Sequence, residues 1–304
     1  MHSDLVEIGW TEDHWNRIYT AISEEAQKAR VGAQVLNVVG PLDPTTVAVP
    51  TYALSAADSP QQGPAWTDKR LSVNSDPTLY LTKIAVNVYL RSREAADPEL
   101  NAALTMFRRA ANYVARIEDA LIFNGRPGAD APPPFGLAGI PPVYRVTGGG
   151  SAEGLFLGTP GARSSFSVAA VPPPPGADGS ALGDQVITAI IKSINALDAA
   201  GQLPPYACFL SPALFEAICT PNTSLVLPRD RILPFLQGPL LRSSAIQDSY
   251  GVVLAMSASP VELVVARDIH LKFLQTNEQP RLVFQVSERV ALRIKESAAI
   301  SILT

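Results

Sequence analysis

The segment DPELNAALTMFRRAANYVARIEDALIFNG, residues 97–125, decides the fold. Asp97 is of a type that caps helix N-termini, and Pro98 suits the first helical position. Leu100, Leu104, Phe107, Ala111, Val114 and Leu121 then recur as one apolar stripe, and Asn124-Gly125 supplies the stop. The helix expected over 98–123 would be roughly 39 Å long at 1.5 Å per residue. A helix of that length is a spine for other elements.

Upstream, TEDHWNRIYTAISEEAQKARVGAQVL (11–36) reads as a second helix, with Trp15, Ile18 and Ile22 on its apolar side. Thr11 is the expected N-cap; His14 is not the Glu or Gln of a capping box. The helix ends before Gly40-Pro41, and its single stripe needs a partner surface. Between 41 and 82, Pro41, Pro44, Pro50, Pro60, Pro64 and Pro77 exclude a helix and leave short β-prone pieces, TTVAV and KRLSV. This reads as a long two-stranded excursion, which a compact domain has little use for unless it meets another chain. LTKIAVNVYL (81–90) is strand-like.

Downstream, residues 126–181 carry APPPFG, GIPPV, TGGGS and VPPPPGADGS, with β-prone islands between them. Such runs read as an elaborated surface loop or a hairpin. From Leu182, the residues Val186, Ile187, Ile190, Ile191, Ile194 and Leu197 predict an amphipathic helix ending near Gly201. YACFL is a short buried strand, and SPALFEAIC a helix capped by Ser211. SYGVVLAMS, VELVVARD, RLVFQV, RVALRI and AAISIL are strands, so the last third is mainly sheet.

Of the 304 residues, 47% are hydrophobic and 17% charged, against about 25% charged in an average protein. That balance argues against disorder and for surface buried against other subunits. The formal net charge of −4 argues against a DNA-coating surface. Cys208 and Cys219 cannot make a disulfide framework or a four-cysteine zinc site, and both read as inert thiols. The N-terminus does not read as a signal peptide, and no apolar run reaches the ~18 residues of a membrane span. His2, His14 and His270 have no metal-ligand spacing. Asp268 and His270, two apart on a strand, would share a face; a surface histidine is the simpler reading of that pair. GGGS at 148–151 lacks the lysine of a phosphate loop. Glu118-Asp119 is assigned to interface salt bridges. No catalytic or metal-binding residue is expected.

The layout resembles the encapsulin shell proteins of the linocin-like branch, which share the Hong Kong 97-type fold of tailed-phage major capsid proteins. Thr11-Glu12, Trp15 and Ile18 followed by Gly32 and Gly40-Pro41-Leu42 are similar to that family's N-terminal helix and its Gly-Pro turn. Glu118-Asp119 with Ile122-Phe123-Asn124-Gly125 resembles the end of its spine helix. Val261–Val265 with Arg267-Asp268 and Leu271, and Glu288 with Glu296-Ser297-Ala298, resemble its closing strands. Residues 43–78 and 126–181 stand outside the resemblance.

The resemblance implies an α+β, phage-capsid-like fold. It divides into an N-terminal helix and arm (1–42), an extended loop (43–82), a peripheral domain (83–125 and 256–304) and an axial domain (126–255) with an insertion at about 126–181. It implies a cytoplasmic icosahedral nanocompartment of sixty or more copies of the chain, without catalysis of its own. The enclosed cargo would be a dye-decolourising peroxidase or a ferritin-like protein carrying a targeting peptide, with no membrane or nucleic acid as partner. The alternative is a major capsid protein of a tailed phage or prophage that packages DNA.

Carried over residue by residue, the cargo groove would involve Trp15, Ile18, Ile22, Ala26, Arg30 and Asn37 on the helix side, and Asp268 and Leu271 on the strand side. Ala26, Arg30 and Asn37 depart from the family's aromatic or apolar, apolar and acidic types. Arg30 either receives an acidic group of a different peptide or only extends from a packed helix. Some members bind a flavin beside a tryptophan; Tyr89 stands at that position, where a plain sheet aromatic is the simpler reading, so no cofactor is assigned.

Overall fold

The computed structural model describes residues 8–58, 69–75, 77–126, 140–158, 163–168, 180–221, 226–247, 249–276 and 281–304. The chain opens with α1 (Glu12–Ala29), a 3-10 turn over Gly32–Gln34 and β1 (Asn37–Val39). The excursion holds β2 (Ala48–Pro50), β3 (Ala53–Asp58), β4 (Lys69–Asn74) and β5 (Thr78–Tyr80). Next come β6 (Thr82–Arg91), the short α2 (Ser92–Ala95) and the spine, α3 (Asn101–Asn124). β7 (Tyr144–Gly148), β8 (Ser164–Phe166), α4 (Ser180–Ala199), β9 (Tyr206–Leu210), α5 (Pro212–Cys219), α6 (Pro228–Leu236) and β10 (Gln237–Arg242) follow. The chain closes with β11 (Gly251–Ala255), β12 (Val261–Thr276), β13 (Arg281–Ile294) and β14 (Ile300–Leu303).

The spine begins three residues later than Pro98. Leu100 adopts a left-handed conformation, φ 53°, and the Asp97 carboxylate accepts the N–H groups of Glu99 and Asn101, each at 3.0 Å. Asp97 thus supports the first turn from outside it. At the other end Gly125 has φ 67°, and a Cβ there would lie 2.4 Å from the Gly154 nitrogen, so only glycine fits. Phe107 is fully buried and meets Trp10 and Phe284 edge-on, while Trp10 stacks on Phe284 with ring centroids 5.3 Å apart. The Trp10 indole N–H donates to the Ala95 carbonyl at 2.8 Å.

Two five-stranded sheets flank this core. The first runs β1-β12-β13-β6-β7, with β1 parallel to β12 and the other pairs antiparallel. Along β13, Phe284, Val286, Val290 and Leu292 join the core around the spine. Strand alternation turns Gln285, Ser287 and Arg289 to the opposite face. The second sheet runs β10-β9-β11-β14-β8. Ala207 and Phe209 of β9 join the spine's core, whereas Tyr206, Cys208 and Leu210 join a second core with α4, α5 and α6. Phe123 at the end of the spine packs edge-on against Phe209, centroids 5.2 Å apart.

Several expectations are corrected. His14 does complete a capping box: its Nδ1 accepts the Thr11 N–H at 3.3 Å while the Thr11 hydroxyl accepts the His14 N–H. The imidazole takes the place of the usual glutamate. The described parts of 126–181 are neither one loop nor a hairpin. β7 is an edge of the first sheet and β8 an edge of the second. Leu155 is fully buried, and its N–H donates to the Ile122 carbonyl at 2.8 Å. The β-prone islands VYRV and SFSVAAV thus overlap β7 and β8; the proline and glycine density around them hid only that they pack into the two sheets. β7 lies in the first sheet and β14 in the second, so the chain crosses between the two sheets more than once. The pieces RLVFQV and RVALRI are one strand, β13. α6, with Pro228 in its first turn and Pro234 inside, and β10 had no counterpart in the sequence reading. The excursion forms two ladders, β2 with β5 and β3 with β4; residues 59–68 between them lie outside the described residues.

Candidate functional site

The eight residues carried over by resemblance separate into a buried set and a charged or open set. α1 lays its apolar stripe on α3 and β12, so Trp15, Ile18, Ile22 and Ala26 are buried. Leu271 is buried on the same side of β12. These five hold α1 in place and expose little to a ligand. Tyr19, half exposed and stacked on Trp15, is the ring that α1 presents outward.

Arg30 is the C-cap of α1, with its N–H on the Ala26 carbonyl. Its side chain turns inward and meets three carboxylates: Glu118 at 2.6 Å, Glu288 at 2.5 Å and Asp268 at 2.5 Å. Glu118 and Glu288 are fully buried, and Asp268, 65% exposed, closes the cluster toward solvent. Burial pulls the Arg30 pKa down, but Glu288, Glu118 and Asp268 outweigh it and hold the guanidinium firmly charged. Burial pushes Glu118 up against the pull of Arg30. Burial, then Glu118, pushes Glu288 well above the carboxylate range. One guanidinium cannot neutralise two buried carboxylates, so the fully ionised form of the pair is disfavoured and both groups hold their protons more tightly than free carboxyls. Any acidic group of a ligand must compete with these three for Arg30.

Asp119 works beside this cluster. Its carboxylate accepts the N–H groups of Val31, at 3.0 Å, and Gly32, at 2.8 Å. Burial and then Glu118 push its pKa up to about 8, against the pull of those N–H donors. It fixes the turn that leads α1 into β1. Gly32 must stay small there, because a Cβ would lie 2.8 Å from Ile122 Cδ1. The expectation that Glu118-Asp119 serves an interface is corrected: both side chains fasten α1 to the spine within one subunit. The signal was available. Arg30 continues the Ile22, Ala26 spacing, and Glu118-Asp119 interrupts an apolar helix, so one buried charge called for the other.

Asn37 is on the open side. Its amide donates to Glu262 at 3.4 Å. Burial raises the Glu262 pKa, but hydrogen bonds from Lys295 and Arg293 outweigh it and leave the group below the usual range. Asn37 also lines a recess of about 260 Å³ between the 3-10 turn and the end of β11, with Val35, Leu36, Leu254, Met256 and Val261 as apolar walls. Leu254 and Met256 escaped the sequence reading because they lie far from Asn37 in the chain. An apolar recess rimmed by an amide can hold a side chain and a backbone group; it has no bond-making chemistry.

The Asp268–His270 pair is not formed. Bulges around Arg267 and His270 shift the register of β12. The His270 Nδ1 lies 3.1 Å from the Asp268 backbone oxygen, its Nε2 is 3.4 Å from Ser287 Oγ, and the Asp268 carboxylate goes to Arg30. Burial and Arg267 push the imidazole down to about 4, so it is neutral at physiological pH. Cys208 is fully buried, and burial pushes its thiol far up. Among the described residues, no group of His, Cys, Asp and Glu is placed to hold a metal ion. Tyr89 is half exposed on β6, opposite Val283. No helix of the described residues is long and apolar enough to cross a membrane.

A family model described as encapsulating protein for peroxidase matches residues 7–139 and 170–291. The type 1 encapsulin shell protein EncA of Myxococcus xanthus is 24% identical over 307 residues, which cover 96% of this chain and 92% of that protein. Among solved structures, the virus-like particle from Pyrococcus furiosus is similar with a TM-score of 0.63 at 15% identity, covering 96% of this chain and 100% of the other. The capsid of Myoviridae phage XM1 gives a TM-score of 0.59 at 13% identity, over 90% of each chain.

Proposed function

The chain belongs to the family of encapsulating proteins for peroxidase, the self-assembling encapsulin shell subunits of phage-capsid fold, and from this we propose that it encloses a cargo enzyme in a closed icosahedral compartment. The subunit's own part is structural, and any chemistry belongs to the enclosed protein. A peroxidase of the dye-decolourising type or a ferritin-like protein is the expected cargo, and the cytoplasm the expected location.

One observation carries the reading of the subunit as a part made for assembly. The outer ladder of the excursion, β3 with β4, is tied to the subunit through the Leu54 N–H on the Lys295 carbonyl at 2.9 Å. A two-stranded ladder standing off a domain is marginal in water, and a neighbouring subunit supplies the missing surface.

The targeting peptide would dock at the Asn37 recess. An apolar side chain would enter between Val35, Leu254 and Met256, and the Asn37 amide would meet the peptide backbone. Co-expression of the full chain with a fluorescent protein carrying a peroxidase targeting peptide tests this. Fluorescence should travel with the particles, and Met256→Arg should abolish loading while particles still form. Loading that survives Met256→Arg would remove the recess from the mechanism. Particles that never carry fluorescence would overturn cargo capture through such a peptide.

A further inference from the structure

The face of the first sheet turned away from the spine holds a recess of about 130 Å³ whose charge the established fold does not explain. Four cations line it: Lys83, Arg267, Lys272 and Arg289. The register brings them together. Arg289 on β13 stands opposite Lys83 on β6 and opposite Arg267 on β12, and Lys272 stands opposite Gln285, four residues along β13 on the same face as Arg289. The bulges around Arg267 and His270 add side chains to this spot. Pro44 of the excursion forms one rim.

The nearby acids are engaged elsewhere. Glu288 also borders the recess, but it and Asp268 bind Arg30. The Asp43 carboxylate accepts the N–H of Thr45 at 2.7 Å and binds its hydroxyl. Arg289 directs one nitrogen to the carbonyls of Pro44 and Thr46, both at 3.1 Å, and Lys83 donates to Gln285 at 2.8 Å. Carbonyls and an amide orient these cations without neutralising them. Among the described residues no ion pair reaches any of the four. Burial holds the Lys83 ammonium below its usual pKa, and Arg289, Lys272 and Arg267 add to the effect. Like charges on adjacent strands are destabilising. In a chain of net charge −4, this concentration calls for a bound anion.

The geometry points to a site for a phosphate-class oxyanion. Arginine forks and lysine ammonium groups suit tetrahedral oxygens carrying two negative charges. Ser287 and the neutral His270 ring add hydrogen-bonding groups on the same wall. A carboxylate brings one charge in a flat group and leaves more of the four cations uncompensated. Free phosphate and the terminal phosphate of a mononucleotide present the same chemistry here.

The test is calorimetric titration of the full chain at low ionic strength, in separate arms with inorganic phosphate and with a mononucleotide. One site per subunit is expected. The double variant Arg267→Gln, Lys272→Gln should bind at least about tenfold more weakly, and Lys272→Gln alone should fall between it and the wild type. Lys28→Gln on α1 should leave binding unchanged, and circular dichroism should show each variant folded. Equal affinity in the two arms supports a free-oxyanion site, and tighter mononucleotide binding supports a phosphate anchor for a larger ligand. Absence of saturable binding in both arms, or binding that the double variant leaves intact, overturns the proposal.

Discussion

Glu118 of α3 and Glu288 of β13 share one guanidinium: Arg30 lies 2.6 Å from the first and 2.5 Å from the second. This links the end of α1, the spine and the first sheet at a single buried point. Arg30→Leu removes the common partner and leaves two buried carboxyl groups facing each other. Breaking a buried ion pair from one side costs roughly 3–5 kcal/mol. Arg30→Lys should recover only part of this, because one ammonium lacks the planar fork that reaches several acceptors. Chemical denaturation of the three proteins checks the order wild type, Lys, Leu; a Leu variant as stable as wild type would contradict the clamp.

The same cluster sets a pH dependence. The pKa values of Glu118 and Glu288 are raised in the fold above the ordinary 4.5, so the folded chain holds a proton that the unfolded chain has lost. The unfolded state binds fewer protons above that ordinary value, so stability contributed here falls as pH rises toward the raised values. Thermal midpoints measured from about pH 5 to about pH 9 should decline for the wild type. Glu288→Gln keeps the shape without the titration and should flatten the decline. Equal slopes would show that the pair does not hold the proton.

Gly40 precedes Pro41 at φ 139°, and a Cβ there would sit 2.1 Å from the Val265 carbonyl oxygen. Leu42 N–H donates to that same oxygen at 3.0 Å. Gly40→Ala must therefore push the chain off β12, and a loss of about 1–3 kcal/mol is expected for such overpacking. Gly201→Ala is the control: its φ of 80° is also left-handed, but nothing lies within 4 Å of the added Cβ. Gly40→Ala should lower the denaturation midpoint more than Gly201→Ala; the reverse order would contradict the close approach at Val265.

Removal of residues 147–171 should unfold the chain, although its composition suggests a dispensable loop. The deletion takes away the end of β7, the whole of β8 and the buried Leu155 and Val168. Leu155→Asp is the sharper probe, because it puts a charge where the side chain is fully buried beneath the end of the spine. Loss of soluble protein is expected from both changes. Soluble, folded protein from Leu155→Asp would return this segment to the surface.

How much of this could be read beforehand follows the strength of each local signal. The spine was legible because its stripe runs unbroken from Leu104 to Leu121, but its start was misplaced: Asp97 acts from outside a left-handed Leu100. α1 was legible for the same reason, while Trp10, just before it, has no periodicity to mark it as the ring stacked on Phe284. The β-prone islands that form β7 and β8 were legible, but not that each is the edge strand of a different sheet, because their pairing partners lie far away in the chain. The candidate site was less legible. Arg30, Asn37 and Asp268 could be named, but Glu288 as the partner of Arg30 depends on a contact across 258 positions of sequence. The cationic recess arises from strand register and bulges, which no spacing in the chain reveals.

The central claim, that this subunit builds a closed shell, is tested most directly by electron microscopy of the full chain expressed alone and purified by sedimentation. Closed icosahedral particles of sixty or more subunits are predicted, and deletion of Ala53–Asn74, the outer ladder of the excursion, should yield folded subunits that fail to close. A full-length protein that sediments as a folded monomer at every concentration and shows no particles would contradict the account.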